Sequence, residues 1–477
     1  MGMRLRLICF SLMILGIIPA SVARSQPNHL ICPSQLKSEI EAIANTSEFQ
    51  RSRWGILVEP LASSTPLYRL DADHYFIAAS TVKLITTAVA LHELGAHFRV
   101  RTSVYGDNQG NLLVVGRGDP SLTDTQLQDL AQQLNNKGIT QVNYLQVDDS
   151  YFSGIAIDPS WEWEDIQAGY GAPINSLILN QNSLDLILAP QAVGQPLKVT
   201  WVRPQQGREW QIENQSITVA QNQREFVKIG RDLTQPLLRV GGQLRVGSKS
   251  EPVYAAVVNP AENFMQGFQY SLTQVGIEVT RSSIVQQSST RGFQELAFVE
   301  SPPISELIQE VNLESNNIFA GALLQTLGVD QNPEDTVDGG LNQIQQTLTQ
   351  WGINPDSYRL VDGSGLSRQN WVSPKALVQI LQVMATHPQF ELYQNSLPVA
   401  GVSGTLKTRL LNTPAVGIVQ AKTGTLTGVS ALAGYINPPN YSPVVFSIIL
   451  NQSHRSTGET RQAIEQIVLI LTRLKSC

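Results

Sequence analysis

The apolar pattern changes period along the 477-residue chain, and the changes outline its organisation. Residues 33–49 carry apolar side chains on one helical face. WGILVEPLASSTPLYRLDADHYF, from Trp54, reads as two short strand-like runs around a Ser/Pro turn. Phe76 to Gly95, FIAASTVKLITTAVALHELG, is apolar at nearly every position and reads as a buried helix. From about residue 100 to 300 short β-rich runs dominate: Ser103–Tyr105, Leu112–Val115, Leu184–Leu188, Leu197–Val202 and Phe226–Ile229. Gly, Pro, Asn and Gln separate them, so this region reads as inserted, mostly β material in two modules. Helical periodicity returns over Ile304–Leu327, Asn342–Trp351 and Pro374–Ala385. Two strands follow, Val429–Ile436 and Val444–Leu450, and then a helix over Glu459–Leu474 with Ile464, Ile467, Val468 and Leu471 on one face. Helix, strands, long interruption, helices, strands, helix predicts an α/β domain assembled from both ends of the chain. No internal repeat or low-complexity tract interrupts it.

Composition fits that picture. Apolar residues make up 42% of the chain and charged ones 15%, the balance of a folded protein with large cores, and the length allows two to four domains. Arg4 and Arg6, the apolar run Leu7–Ile18 and the small-x-small site Ser21-Val22-Ala23 predict an export signal over residues 1–23. The alternative is an uncleaved anchor, though the run is short for a span. Ile31 is too large to precede a lipidated Cys32. Cleavage removes Cys9 and two positive charges, taking the net charge from −6 to −8. That leaves no electrostatic footprint for nucleic acid and no basic cluster for anionic lipid. Cys32 and Cys477 remain at opposite ends of an exported chain, where an oxidising compartment favours their pairing.

Within the apolar helix stand Ser80 and Lys83, three residues apart and so on one helix face. A bland reading is a lysine whose stem packs inside while its ammonium reaches water. The functional reading is a nucleophile with its base, since burial lowers the amine pKa until the neutral amine can take the serine proton. A second Ser-x-x-Lys, Ser34 to Lys37, lies on a mixed polar helix and carries no such argument. Two later motifs favour the functional reading: Ser315-Asn316-Asn317, and Lys422-Thr423-Gly424-Thr425 on a strand edge, where Gly424 lets a substrate backbone approach. In the order Ser-x-x-Lys, Ser-x-Asn, Lys-Thr-Gly they match the motif set of the penicilloyl-serine transferases.

With these motifs and the stretches GRGDPSL (Gly116–Leu122), YGAPINSLILNQN (Tyr170–Asn182), DGSGLSR (Asp362–Arg368) and SGTLKTRL (Ser403–Leu410), the mature chain resembles the low-molecular-mass class C penicillin-binding proteins, the D-alanyl-D-alanine carboxypeptidase/endopeptidase family. Ser315 follows Ser80 by 235 residues (315 − 80), too far for a β-lactamase. The resemblance implies a multi-domain α/β fold: a penicillin-binding, β-lactamase-like transpeptidase domain with a five-stranded-type antiparallel sheet flanked by helices, interrupted by two nested β-rich domains. The expected boundaries are 24–100 with 300–477 for the catalytic domain, 101–188 with 245–299 for the first inserted domain, and 189–244 for the second. It implies Ser80 as the acylated nucleophile, Lys83 as its base, Ser315 as the proton relay to the leaving amine, and Asn317 as binder of the substrate amide. Lys422 would polarise Ser315 and attract the substrate carboxylate, with Thr423 and Gly424 beside it, and the N–H groups of Ser80 and Thr425 would form the oxyanion hole. Implied partners are peptidoglycan peptides ending in D-Ala-D-Ala and β-lactam antibiotics, in the periplasm or an equivalent extracytoplasmic space. Arg117 stands where many relatives carry glycine.

The sequence offers no cofactor or metal motif. HELGAH (His92–His97) spaces its histidines five apart, not the four that one zinc-binding helix face needs. Arg117-Gly118-Asp119 reads as a turn before Pro120. Asp338-Gly339-Gly340-Leu341-Asn342 faintly resembles the deacylating acid loop of class A β-lactamases, yet it falls at a helix start where Asp caps by default. Two rival functions stand: a silent cell-wall binding protein, separated by penicillin labelling, and a secreted β-lactamase, separated by how fast the adduct turns over.

Overall fold

The computed structural model describes residues 29–208, 210–286 and 289–477. The expected export signal and Cys9 lie outside the described residues. Among the described residues no helix is long and apolar enough to cross a membrane.

The central element is a five-stranded antiparallel sheet in the order Tyr68–Leu70, Arg53–Pro60, Val444–Asn451, Val429–Ile436, Val419–Leu426. Two strands come from the start of the chain and three from its end. They join where Arg53–Pro60 pairs along its whole length with Val444–Asn451. The inner strands Val429–Ile436 and Val444–Asn451 are apolar at nearly every position because both faces are covered. Successive side chains point to opposite faces, so each strand supplies two cores. Leu57, Ala433, Tyr435, Val445 and Ile449 pack toward the helices Lys83–Leu94, Ile304–Leu313, Asn317–Gly328 and Pro374–Thr386. Ile56, Val58, Leu432, Phe446 and Ile448 pack toward the helices Leu36–Ala44 and Thr457–Leu471. These first and last helices lie against each other, and Cys32 and Cys477 beside them form a disulfide with their Cα atoms 5.8 Å apart.

The run expected as one helix over Ile304–Leu327 is broken. Helices Ile304–Leu313 and Asn317–Gly328 are separated by Ser315 at φ 60, and Asn316 caps the second by accepting from the N–H groups of Ile318 and Phe319. Periodicity carries across the break because both pieces bury apolar faces in one core.

The region between 101 and 300 holds more helix than its composition suggested. A mixed sheet (Ser282–Val285, Tyr144–Asp148, Asn111–Val115, Arg101–Gly106, Gln294–Glu300) is covered by the helices Asp124–Asn136 and Pro260–Gln274. Their buried residues Leu127, Leu130, Ala131, Leu134 and Phe264, Phe268, Leu272 recur at helical spacing amid many Gln and Asn. Tyr144–Asp148 runs parallel to both neighbours, which is why crossover helices are needed there. Beyond it, Leu184, Leu186 and Leu188 share a small core with Leu238, Val240 and Leu244 of a second β layer.

Part of this region reaches back to the catalytic motifs. Asn180, Gln181 and Asn182 are three consecutive residues in the left-handed conformation. Buried Asn182 holds that turn through the Pro173 carbonyl at 2.8 Å and the Leu179 N–H at 3.1 Å. Gln181 then accepts from Asn316 Nδ2 at 2.8 Å, and the Tyr170 carbonyl accepts from Asn317 Nδ2 at 3.0 Å.

Candidate active site

Ser80 lies in a short 3-10 turn, Ala79–Val82, that runs straight into the helix Lys83–Leu94. Ala79 adopts φ 48, a strained value for a residue with a Cβ. Two glycines hold the turn. A Cβ on Gly365 would lie 2.0 Å from the Ala79 carbonyl oxygen, and one on Gly424 would lie 2.7 Å from that of Ala78. The Asp-Gly-Ser-Gly and Lys-Thr-Gly segments therefore clamp the nucleophile turn from two sides, and only glycine lets them come so close.

Lys83 is fully buried, and its Nζ lies 3.0 Å from Ser80 Oγ, 2.6 Å from Asn317 Oδ1 and 2.6 Å from the Ser364 carbonyl oxygen. Burial brings its pKa down to about 7, partly offset by the Asp362 carboxylate. Asp362 accepts from the N–H groups of Ser364, Gly365 and Ser367 and from the side chains of Asn370 and Trp161. It fixes the loop whose Ser364 carbonyl touches the lysine.

Lys422 is the second buried amine. It sits on the edge strand Val419–Leu426, donating to Ser315 Oγ at 2.8 Å and to the Thr423 carbonyl at 3.0 Å. Burial lowers its pKa well below the ordinary lysine value, and Lys83 nearby lowers it further. The Thr423 hydroxyl meets that of Thr405 at 2.8 Å, and Thr425 Oγ1 accepts from Arg461 Nη2 at 3.2 Å. On this strand the Ala421 N–H donates outward to the Pro398 carbonyl. The two-residue period turns the N–H groups of Thr423 and Thr425 to the same free edge.

Ser80, Lys83, Ser315, Asn317, Lys422, Thr423, Gly424 and Thr425 thus converge from three elements far apart in sequence. Both ends of the Asn317 amide are engaged, by Lys83 and by the Tyr170 carbonyl, so a substrate amide meets a donor already oriented. Tyr170, Asp362, Ser364, Thr405 and Arg461 complete the surroundings. The first four lie in stretches that carry the family resemblance, where no role attaches to them, and Arg461 lies in no motif. Ser34, in the 3-10 turn Pro33–Gln35, and Lys37, on the first helix, are both exposed. His92 meets His387 at 3.0 Å and the Trp351 ring, while His97 is exposed. Among the described residues no group of three His, Cys, Asp or Glu could hold a metal. Asp119 accepts from the Ser121 N–H at 2.8 Å in a turn. At the Asp338 helix the cap is Asp335, three residues earlier.

A seryl hydroxyl against a neutral amine, a second amine–hydroxyl pair facing it, and a free strand edge form a device for acyl transfer to and from serine. The model of the D-Ala-D-Ala carboxypeptidase 3 (S13) family matches residues 36–474. The chain is 31% identical over 467 residues to penicillin-sensitive carboxypeptidase A of Dictyostelium discoideum, covering 88% of this chain and 87% of that one. It is 29% identical over 459 residues to a D-alanyl-D-alanine carboxypeptidase of an Actinomadura strain, covering 92% and 84%. The crystal structure of penicillin binding protein 4 from Haemophilus influenzae superposes with a TM-score of 0.78 at 26% identity, over 93% of this chain and 98% of that one.

Proposed function

The chain belongs to the D-Ala-D-Ala carboxypeptidase 3 (S13) family and has that family's serine-type DD-carboxypeptidase function; from that premise we propose how its own residues carry the reaction. Ser80 Oγ attacks the carbonyl between the last two D-alanines of a peptidoglycan stem peptide. Lys83, neutral in an appreciable fraction near pH 7, takes the hydroxyl proton. The oxyanion forms between the N–H groups of Ser80 and Thr425. Ser315, hydrogen-bonded to Lys422, passes a proton to the departing D-alanine amine, and Asn317 orients the peptide amide. Water then releases the acyl group from Ser80. β-Lactams acylate the same serine by opening their ring, which leaves no departing amine to make room for water. Endopeptidase cleavage follows the same steps with a longer leaving chain.

The observation that carries this reading is the 3.0 Å contact between Ser80 Oγ and a fully buried lysine whose pKa is brought down to about 7. The protein works in the periplasm or an equivalent extracytoplasmic space, after export by its N-terminal segment. Peptide mapping after penicillin treatment tests the assignment, with the adduct expected on Ser80 alone. Undiminished labelling of Ser80→Ala, or an adduct on Ser34, refutes it.

A further inference from the structure

A carboxypeptidase must distinguish a free C-terminal carboxylate from a continuing chain, and a permanent cation beside the carboxylate is the direct way to do so. The family resemblance gives that task to Lys422. Its side chain is wholly buried, spends its hydrogen bonds on Ser315 and the Thr423 carbonyl, and is depressed in basicity by burial and by Lys83. It suits proton transfer better than service as a fixed positive charge.

The geometry points to Arg461 as the residue that selects the substrate's terminal carboxylate, acting beside the Thr425 hydroxyl at the free edge of the Val419–Leu426 strand. This rests on the reading of Ser80 as nucleophile and of the Thr425 N–H as part of the oxyanion hole. A carbonyl held there places the carboxylate of the following D-alanine one residue further, about 3.8 Å between α-carbons, within the reach of the Thr425 side chain. Arg461 already donates to that side chain at 3.2 Å.

Its charge is also available. Arg409, nearby, is tied to Glu465 at 2.6 Å, and Arg455 pairs with Glu459 at 3.6 Å. Among the described residues no carboxylate lies within ion-pair distance of Arg461, and Glu465, one turn along the same helix, is held by Arg409. A guanidinium stays charged at any working pH and offers paired donors that match a carboxylate. Arg461 is exposed on the helix Thr457–Leu471, so its replacement leaves the cores beneath untouched.

The test compares an N-acylated peptide ending in D-Ala-D-Ala with the same peptide amidated at its C-terminus, using the mature enzyme and Arg461→Ala, Arg461→Gln and Arg461→Lys. Wild type is expected to favour the acid by about ten- to a hundredfold in kcat/KM, the usual worth of a charge-assisted bond. Arg461→Ala and Arg461→Gln should lose most of that preference through a higher KM for the acid, with a much smaller effect on the amide, and melt at the wild-type temperature. Arg461→Lys should recover part of it. An unchanged acid-to-amide ratio in Arg461→Ala overturns the assignment, as does a wild type that cleaves both peptides equally. A wild type that neither cleaves the acid nor acylates on Ser80 fails differently and sinks the underlying reading with it.

Discussion

If Lys83 is the base for Ser80, the acylation rate must follow the fraction of neutral amine. With a pKa of about 7, roughly a tenth of the lysine is neutral at pH 6 and roughly nine-tenths at pH 8, so the rate should climb about tenfold between them and then level off. An ordinary lysine at 10.5 would be less than about 1% neutral at pH 8, and the rate would still be climbing at pH 10. Stopped-flow acylation by a fluorescent penicillin, from pH 5.5 to 9.5 at constant ionic strength, separates these shapes. Lys83→Arg keeps a cation but cannot deprotonate, and should lose at least about a hundredfold in rate along with the inflection. Stability supplies an independent arm. Lys83 has its folded pKa depressed from 10.5 to about 7, so between those values the unfolded chain binds the extra proton and stability rises with pH. The cost of burying the amine, of order 5 kcal/mol, is fully present below pH 7 and gone by about pH 10.5. Lys83→Met should therefore remove about 1.4 kcal/mol per pH unit from the slope of unfolding free energy over pH 7.5–9.5. Because Lys422 is depressed too, some slope should persist. A flat rate profile from pH 5.5 to 8.5, an inflection above pH 9, or a near-normal rate in Lys83→Arg would falsify the argument.

Two further predictions follow from packing. Gly365→Ala would put a Cβ 2.0 Å from the Ala79 carbonyl in a residue at φ +79, and should slow acylation at least about tenfold without touching a reacting group. Gly95→Ala, also at positive φ (+80) but with nothing within 4 Å, is the control and should cost about 1 kcal/mol of stability with acylation unchanged. Alkylation of the unreduced, denatured protein beginning at Arg24 should label no thiol, and Cys32→Ser with Cys477→Ser should lower stability by about 2–5 kcal/mol. Two labelled cysteines would contradict the pairing.

The sequence made some of this legible for identifiable reasons. The strands Val429–Ile436 and Val444–Asn451 could be read because they are apolar on both faces, and the nucleophile helix because helices pack around it. The three motifs were visible because the site needs those residue types. Three features were not. The break at Ser315 is hidden because the helices on either side share one core, so periodicity runs through it. The helices Asp124–Asn136 and Pro260–Gln274 show amide-rich outer faces, and their few apolar residues were overshadowed by the β-rich runs around them. Arg461 owes its place to helix packing on the sheet, and no local pattern marks an arginine that will meet a strand 36 residues away.

The central sheet also sets a schedule. Arg53–Pro60 and Tyr68–Leu70 leave the ribosome early, but the partner that flanks Arg53–Pro60 on its inner side, Val444–Asn451, arrives nearly four hundred residues later. Contacts so distant in sequence form slowly, because closing the intervening loop must precede them. The segment between 101 and 300 has its own sheet and core and can fold during that wait. Lys422 and Gly424, which complete the surroundings of Ser80, come with the last strands, and Cys477 follows them in sequence. A copy cut short before Val419 therefore holds the nucleophile without the partners that arm it. The surroundings of Ser80 stay open until those strands have joined the sheet, and the Cys32–Cys477 bond then ties the two distant stretches of chain that built it.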